Sequence, residues 1–333
     1  MWMGLIYPSR EISREMKISN EYPGENPVNW PRWEGGRDFQ PSAWPVVCVG
    51  PGRVGSALCR ALSELGFPVV GVGGGSGEWS GQLASELGTE LIEEPYEGLG
   101  EKARLILVTP PDSNLADVAV SIGRGAELKA GSCLLQTSAT EPSEALLPAT
   151  AGMEGITCLS FHPMKPFNDR KQGLEHFVGT VLGIEGDGRA KAIGHALANL
   201  VGGHPLDISR QDKSIYHAAG VLAFTGAMAL AWAAEQISEH LDLDSIFIKK
   251  GIVPNMSTAA GTVLEPGLPE GLTGPVSRGD VEVVEQQIRA LADRFPDFLP
   301  VYREVALLNV RMLEKDGLLE RDVIERLKEV LSE

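Results

Sequence analysis

The segment Gly50-Pro51-Gly52-Arg53-Val54-Gly55 constrains the fold of this chain more than any other part of its sequence. It follows a short apolar run, Val46–Val49, and opens an amphipathic stretch with helical spacing. Glycines at this spacing permit a tight turn between a strand and a helix, and they let the backbone approach a pyrophosphate. The start of the helix then stabilises the charge of that pyrophosphate. The pattern therefore predicts a dinucleotide-binding turn that uses Gly50, Gly52, Arg53, Val54 and Gly55.

Short apolar runs alternate with helical stretches from residue 46 to about residue 208. This alternation predicts a mostly parallel sheet with helices on both faces. The predicted strands are Val46–Val49, Pro68–Val72, Leu105–Thr109, Cys133–Thr137, Ile156–Phe161, Val178–Ile184 and His204–Ile208, and the predicted helices are Val54–Leu65, Glu78–Leu87, Leu115–Ile122 and Arg189–Val201. After about Ser209 only helical patterns follow, at Asp212–Ile237, Val281–Arg294, Phe298–Leu313 and Glu320–Leu331. We therefore expect an α/β domain over residues 46–208 and an all-helical domain over residues 209–333, which would bind substrate and form a dimer.

Residues 1–45 differ from the rest because they contain four of the six tryptophans and are rich in proline. Proline fixes the backbone and removes hydrogen-bond donors, so regular structure is not expected there. We expect an irregular arm whose aromatic side chains cover an apolar patch of the body. A lid or an oligomer contact is the alternative.

Charge narrows the choice of partners. The 333 residues include 29 Lys and Arg against 45 Asp and Glu, which gives a net charge of −16. A strongly acidic protein repels polyphosphates at long range, so we expect no nucleic-acid partner. A basic pocket within an acidic protein still allows a small anionic ligand.

The four cysteines suggest a reducing compartment. Cys48, Cys59, Cys133 and Cys158 form no CxxC pair and lie in apolar or strand-like surroundings, so packed, reduced thiols are expected. Near the start of the sequence, charged residues occupy the place of the apolar core of a signal peptide: Arg10, Glu11, Arg14 and Glu15. We therefore expect a cytoplasmic protein.

One segment is long enough to cross a membrane, because Ser214–Ala234 contains no charged residue over 21 positions. Its content argues against a membrane, since it is built mostly of Ala and Gly and carries Ser214, Tyr216, His217 and Thr225. We expect a buried helix between domains or between subunits, and no membrane partner. Because one small helical domain would not cover such a helix alone, we expect a homodimer formed through residues 210–333.

The stretch after the second strand bears on the choice of cofactor. An acid at this place bonds the ribose hydroxyls of NAD, but Gly71–Gly77 offers no carboxylate before Glu78. A 2′-phosphate would meet no repulsion there, and Ser76 and Arg53 could bond it. NADP is therefore favoured, although the Arg expected at the strand end is missing and NAD stays open.

Three further clusters carry candidate chemistry. His162–Phe167 ends a strand, and ligands of open α/β sheets bind at the carboxyl ends of strands. Lys213, Tyr216 and His217 fall within one turn of a helix. Leu272–Asp280 is a polar, glycine-bounded loop before a helix. Each histidine could instead be a core or capping residue, and no two histidines share metal-ligand spacing with a carboxylate or cysteine, so no metal site is expected.

Taken together, these segments resemble one family. They are GPGRVG, TPPD at Thr109–Asp112, TSA at Thr137–Ala139, FHPMKPF, DKSIYHAAGVLA and LTGPVSRGD, in order from about Val46 to Leu331. The family joins a Rossmann-like NADP-binding domain to a helical domain of unknown function. It is related to pyrroline-5-carboxylate reductase, and some members are similar to an alternative class of ketopantoate reductase. The chain departs from the family at Gly73–Gly75, where Ser or Arg types are usual, and at Thr225, where Asn is usual.

The resemblance implies an NADPH-dependent reductase of a small 2-oxo acid. Hydride chemistry belongs to the cofactor, so the protein must supply a proton or positive charge to the substrate heteroatom. We expect Lys213 and His217 to do so, with His162 as the next catalytic candidate. Arg278, then Lys165, would bind the substrate carboxylate; Tyr216 and Thr225 would also contact substrate, and Ser138, Thr109 and Pro110 would line the nicotinamide side. Reduction of a C=N bond and an inactive dinucleotide-binding regulator are the alternatives.

Overall fold

The computed structural model describes residues 40–74, 77–241 and 248–332. Most of the expected arm, including Trp2, Trp30 and Trp33, lies outside these ranges, as does Ser76. The end of the arm is described: a short 3₁₀ turn at Pro41–Ala43 leads to Trp44, which is only 2% exposed. The Arg104 guanidinium stacks on the Trp44 ring, 4.4 Å from its centroid. Trp44 thus belongs to the core of the sheet domain.

One sheet organises the first part of the chain. Its eight strands are β1 Val46–Val49, β2 Val69–Gly73, β3 Glu90–Ile92, β4 Leu105–Val108, β5 Cys133–Gln136, β6 Thr157–Pro163, β7 Val181–Gly186 and β8 His204–Asp207. Their order is β3-β2-β1-β4-β5-β6-β7-β8, and every neighbouring pair is parallel except β6 and β7. The predicted mostly parallel sheet is confirmed. The sequence pattern does not reveal β3, a three-residue strand at the sheet edge with two exposed residues.

Helices cover both faces of this sheet. They are α1 Arg53–Glu64, α2 Gly77–Leu87, α3 Leu99–Lys102, α4 Asp112–Gly125, α5 Leu174–Phe177 and α6 Gly188–Leu200, with a 3₁₀ segment at Ser143–Thr150. α1, α2 and α6 pack on one face, and α3, α4 and the 3₁₀ segment pack on the other. Along β1 the side chains alternate between these two cores, as expected for a strand buried on both sides.

The chain divides into two compact units, Met1–Ala218 and Ala219–Glu333. No strand follows Asp207 in the described ranges, so the predicted helical C-terminal region is confirmed. Its helices are α7 Lys213–Val221, which crosses the division, α8 Ala227–His240, α9 Val253–Leu264, α10 Pro275–Arg278, α11 Val281–Arg294, α12 Leu299–Lys315 and α13 Arg321–Ser332. α11, α12 and α13 build the core of the second unit around Val284, Val310 and Leu327.

The long apolar helix is interrupted by a π-helical turn. The helical run Arg210–His240 contains α7, the π turn Leu222–Gly226 and α8. By length and composition alone this run could cross a membrane, and none of its most apolar 18 residues is buried within the described chain. Leu222 is 76% exposed and Met228 is 60% exposed. The expected burial of this helix is therefore not provided by the described part of the chain itself.

Candidate active site

The predicted glycine turn joins β1 to α1 at the carboxyl edge of the sheet. Gly50 has φ +74°, and its N–H donates to the Gly73 carbonyl at 2.8 Å. A Cβ at Gly50 would lie 2.8 Å from the Pro110 nitrogen, so a side chain would meet both a backbone clash and an unfavourable φ. Gly52 is the residue directly before the first turn of α1. Gly50 therefore serves the tight turn, which packs against Pro110 as the motif predicts.

Gly55 allows α1 to approach β4 closely. A Cβ at Gly55 would lie 2.0 Å from Thr109 Oγ1 and 2.9 Å from Thr109 Cβ. The Thr109 hydroxyl in turn donates to the Gly50 carbonyl at 3.0 Å. The third glycine of the motif therefore serves close packing between helix and strand, as the motif predicts.

A cavity of about 410 Å³ opens beside this turn. Its walls come from the start of α1, the ends of β4 and β5, and the segment after β6. The predicted residues on its walls are Gly52, Arg53, Val54, Gly55, Thr109, Pro110, Ser138, His162 and Lys165. Residues separated by more than a hundred positions in the sequence thus share one cavity at the edge where ligands of such sheets bind.

Asp112, which the sequence analysis did not single out, holds the Ser138 loop. It begins α4 and lines the cavity, and its carboxylate accepts the Ser138 hydroxyl at 2.8 Å. The same hydroxyl oxygen accepts the backbone N–H of Glu141 at 2.9 Å. The position of Asp112 directly after the TPPD prolines was the signal that could have pointed to it. Because its hydroxyl is fully engaged, Ser138 offers the cavity a fixed wall rather than a free hydroxyl.

Lys213 lies behind that wall. Its side chain is 3% exposed, and Nζ donates to Ser160 Oγ at 2.6 Å and to the Ser138 carbonyl at 3.2 Å. An ammonium carries three N–H donors, so these two bonds leave one unused. Burial lowers the pKa of Lys213, while Glu185 and then Asp112 oppose that effect. The structure thus places Lys213 one carbonyl group away from the cavity rather than on its surface.

His162, Tyr216 and His217 form a ring cluster next to the cavity. The His162 ring lies 5.8 Å from that of Tyr216 and 5.7 Å from that of His217, edge to face in both cases. Neither His162 Nδ1 nor the Tyr216 hydroxyl makes a hydrogen bond of normal geometry within the described chain, although both atoms are buried. His162 lines the cavity, so its unsatisfied Nδ1 is available to a ligand there, whereas Tyr216 contacts His162 and is not among the residues that line the cavity.

Burial sets the protonation of this cluster. It lowers the pKa of His162 to about 4, with the positive charge of Lys213 and the nearby His217 as smaller causes. It also raises the pKa of Tyr216 to about 12. Both rings are therefore neutral near pH 7, where each can exchange hydrogen bonds with a substrate without carrying charge.

The other predicted substrate ligands have local partners. Lys165 lines the cavity, but its Nζ donates to the His176 carbonyl at 2.9 Å. In the second unit, exposed Arg278 pairs with Asp280 at 2.8 Å. The Thr225 hydroxyl donates to the Val221 carbonyl at 2.8 Å within the π turn. Across the described ranges, no group of three or more His, Cys, Asp or Glu side chains is placed to hold a metal ion.

Family models match both parts of the chain. A Rossmann-like domain matches residues 30–163, and a domain of unknown function, DUF2520, matches residues 180–308. No curated protein matches the chain.

Solved structures share this architecture. A protein from Thermotoga maritima is 26% identical, with a TM-score of 0.65 over 82% of this chain and 99% of its own. A Bacteroides fragilis protein described as an NADP oxidoreductase is 22% identical, with a TM-score of 0.60 over 80% of this chain and 97% of its own. An imine reductase from Myxococcus stipitatus in complex with NADP⁺ is 17% identical, with a TM-score of 0.51 over 86% of this chain and 93% of its own. At such identities the similarity establishes the fold, and the family models establish that this chain joins a Rossmann-like domain to a DUF2520 domain.

Proposed function

We propose that the protein is an NADPH-dependent reductase of a small 2-oxo acid. The observation that carries this proposal is the shared cavity, which brings the glycine turn together with His162 and with the wall that Lys213 supports. A dinucleotide turn and polar groups able to act on a substrate thus face the same space.

The residues around the turn fit a dinucleotide. Gly50 forms the tight turn against Pro110, Gly55 lets α1 pack against Thr109, and Gly52 and Arg53 at the start of α1 line the cavity. When bound, NADPH would supply a hydride to the substrate carbon. The relatives described as an NADP oxidoreductase and as an imine reductase with NADP⁺ support this choice of cofactor.

The charges around the cavity favour an anionic substrate. Lys165 lines it together with the carboxylate of Asp112, and Arg53 lies at the glycine turn, where the cofactor would bind. Lys213 adds a buried positive charge and takes part in none of the ion pairs that the described residues form. A buried cation without a carboxylate partner stabilises negative charge that develops nearby, because the surroundings screen it weakly. Lys213 would therefore favour an alkoxide over a cationic iminium.

His162 and Tyr216 would orient the substrate. His162 lines the cavity, and its unsatisfied Nδ1 can bond a carbonyl or carboxylate oxygen of a 2-oxo acid, while the Tyr216 ring would hold the His162 ring by its edge-to-face contact. His217 lies against the His162 ring and would keep it in place.

The proposal is tested by NADPH consumption with matched substrate pairs. Small 2-oxo acids of the ketopantoate type would be compared with their esters, which lack the carboxylate charge, and with cyclic imines of the pyrroline-carboxylate type. We expect turnover of the acids and much slower turnover of the esters. Turnover of imines alone would assign C=N reduction, which the imine reductase fold favours. Tight NADPH binding without turnover of any substrate would identify a dinucleotide-binding regulator instead.

We further propose that two copies of the chain associate through the helical unit. The apolar side chains of the run Arg210–His240 are exposed, among them Leu222, Met228 and Trp232. Exposed apolar patches of this kind mark contacts with another surface, and a second copy offers the same patch in a symmetric pair.

A further inference from the structure

Arg170 lies at the sheet edge that the cofactor would occupy, in the loop between β6 and α5. Its guanidinium carbon lies 4.1 Å from the centroid of the Trp79 ring. Trp79 is in the first turn of α2 and is 40% exposed. α2 begins just after β2, where an NADP-binding sheet domain receives the ribose that carries the 2′-phosphate. A cation from a distant loop is thus brought to the end of β2, where Gly73–Gly75 and Ser76 offer no charged side chain.

The backbone of this loop is fixed by Arg60 of α1. Arg60 Nη1 donates to the Arg170 carbonyl. Through Nε and Nη2, Arg60 also donates to both oxygens of the Glu86 carboxylate, each at 2.6 Å. This bond lowers the pKa of Glu86. This bidentate ion pair between α1 and α2 fixes the Arg60 guanidinium, and Arg60 in turn fixes the backbone of Arg170.

The same pair shows which faces of α1 and α2 oppose each other. Arg53 precedes Arg60 by seven residues, and Trp79 precedes Glu86 by seven. Seven residues are about two helical turns, so Arg53 lies on the same face of α1 as Arg60, and Trp79 lies on the same face of α2 as Glu86. Arg53 and Trp79 are the residues nearer the start of each helix. Arg53 and Trp79 therefore face the same groove between α1 and α2, at its cofactor end, and Arg170 covers Trp79 there.

Neither arginine is neutralised by a carboxylate. Arg53 and Arg170 take part in none of the ion pairs formed within the described ranges. Glu78 is next to Trp79 in sequence, but it accepts a hydrogen bond from Gln82 and so points along a different face of α2. The Arg170 guanidinium, which lies over the Trp79 ring, carries five N–H donors that can bond phosphate oxygens.

We propose that Arg170, whose guanidinium lies over the Trp79 ring, binds the 2′-phosphate of NADP together with Arg53, and that it sets the preference for NADP over NAD. The inference rests on the proposed function, because it requires the glycine turn to bind a dinucleotide. Arg170 then takes the place of the arginine that is missing at the end of β2.

The test uses two nucleotide fragments that differ by the 2′-phosphate alone, 2′,5′-ADP and 5′-AMP. Their affinities are measured by calorimetry on the full chain, together with those of NADPH and NADH. Arg170→Met keeps an apolar stem on Trp79 but removes the charge. We expect this variant to bind 2′,5′-ADP and NADPH about tenfold or more weakly than wild type, which is the scale of a charge-assisted hydrogen bond. Its affinities for 5′-AMP and NADH should change by less than about twofold.

Two further variants separate a specific role from a general one. Lys171→Met removes the neighbouring exposed charge of the same loop and should leave all four affinities within about twofold of wild type. Arg170→Lys keeps the charge and should recover part of the lost 2′,5′-ADP affinity.

Three results would overturn the inference. They are an unchanged preference for 2′,5′-ADP in Arg170→Met, an equal loss for 5′-AMP, and the same loss in Lys171→Met. A wild-type chain that binds neither NADPH nor 2′,5′-ADP would instead refute the proposed function, and this inference with it. Binding of NADPH by wild type with no effect of Arg170→Met would remove this inference alone.

Discussion

The His162 imidazole meets the Tyr216 ring edge to face, with ring planes at 86°. Gly183 makes this contact possible. It pairs with His162 across the β6–β7 ladder, and a Cβ at Gly183 would lie 3.1 Å from the Tyr216 hydroxyl. The absence of a side chain at Gly183 thus lets the first turn of α7 bring its tyrosine against the strand that carries His162.

The buried imidazole predicts a specific loss of stability in acid. The folded pKa of His162, about 4, lies below its ordinary value of 6.5, so between these values the unfolded chain binds more protons than the folded one. Stability must therefore fall as the pH drops from about 6.5 toward 4. At about pH 5 the free energy of unfolding is lower than at pH 7 by on the order of 2 kcal/mol. Thermal melting of wild type at pH 7 and pH 5 measures it.

The matched variant for that measurement is His162→Gln, which keeps a polar side chain but does not titrate. We expect the melting temperature of this variant to fall less between pH 7 and pH 5 than that of wild type. An equal fall in both proteins would assign the acid sensitivity to other groups. His195→Gln serves as a second control, because His195 is exposed and pairs with Asp207 on the other side of β7.

Replacing Lys213 tests the proposed stabilisation of negative charge. Lys213→Met should lower kcat by about 10², the scale of one lost preorganised donor. NADPH affinity should change by less than about twofold, because Lys213 bonds Ser138 and Ser160 rather than the glycine turn. Steady-state kinetics and a fluorescence titration separate the two effects.

His217→Ala provides the internal comparison. His217 follows Lys213 by one helical turn and contacts the His162 ring, so its loss should also slow turnover. Near-normal turnover in both variants would move the chemistry to other residues that line the cavity, and His162 would be the next residue to test.

Gly55→Ala should damage the cofactor turn. The added methyl would overlap Thr109, whose hydroxyl is bonded to Gly50, so α1 must shift away from β4. We expect a loss of about 1–3 kcal/mol in unfolding free energy and weaker NADPH binding, measured by denaturant unfolding and by titration.

The matched control is Gly81→Ala in α2, where a Cβ would meet nothing within 4 Å. An alanine in the middle of a helix should leave the protein as stable as wild type or more stable by up to about 1 kcal/mol. If both substitutions had the same effect, the close approach at Thr109 would not be the cause.

The exposed face of the long helix predicts self-association. Sedimentation at micromolar concentration should give about twice the 35.7 kDa of one chain. Leu222→Glu combined with Met228→Glu should shift the protein to monomer, because two charges would be buried in an apolar contact. Leu147→Glu changes a similarly exposed leucine outside this helix and should leave the dimer intact. A wild-type monomer that floats with anionic lipid vesicles would assign the face to a membrane.

Local patterns were sufficient to predict the sheet and the glycine turn. The apolar run Val46–Val49 predicts a buried strand, and the glycines directly after it predict a tight turn. Both predictions need only residues that are neighbours in the sequence. The TPPD segment could have pointed to Asp112, but its bond with Ser138 could not be found this way, since the two residues lie 26 positions apart. The same holds for Arg170, which is anchored by Arg60 from 110 positions away. The surroundings of Lys213 could not be predicted either, because the two oxygens that it bonds come from the loop after β5 and from the middle of β6.

The reversal of direction between β6 and β7 has a consequence for how the two ends of a bound dinucleotide would be held. A parallel neighbour would have required a crossover that carries the chain away from this edge of the sheet. Because β7 runs antiparallel, the chain leaves β6 and enters β7 at the same edge, and Met164 bonds Val181 there. One tethered segment therefore carries both Lys165, at the cavity, and Arg170, over the Trp79 ring. Under the proposed role of Arg170, recognition of the nucleotide and one wall of the proposed reaction cavity would belong to a single loop.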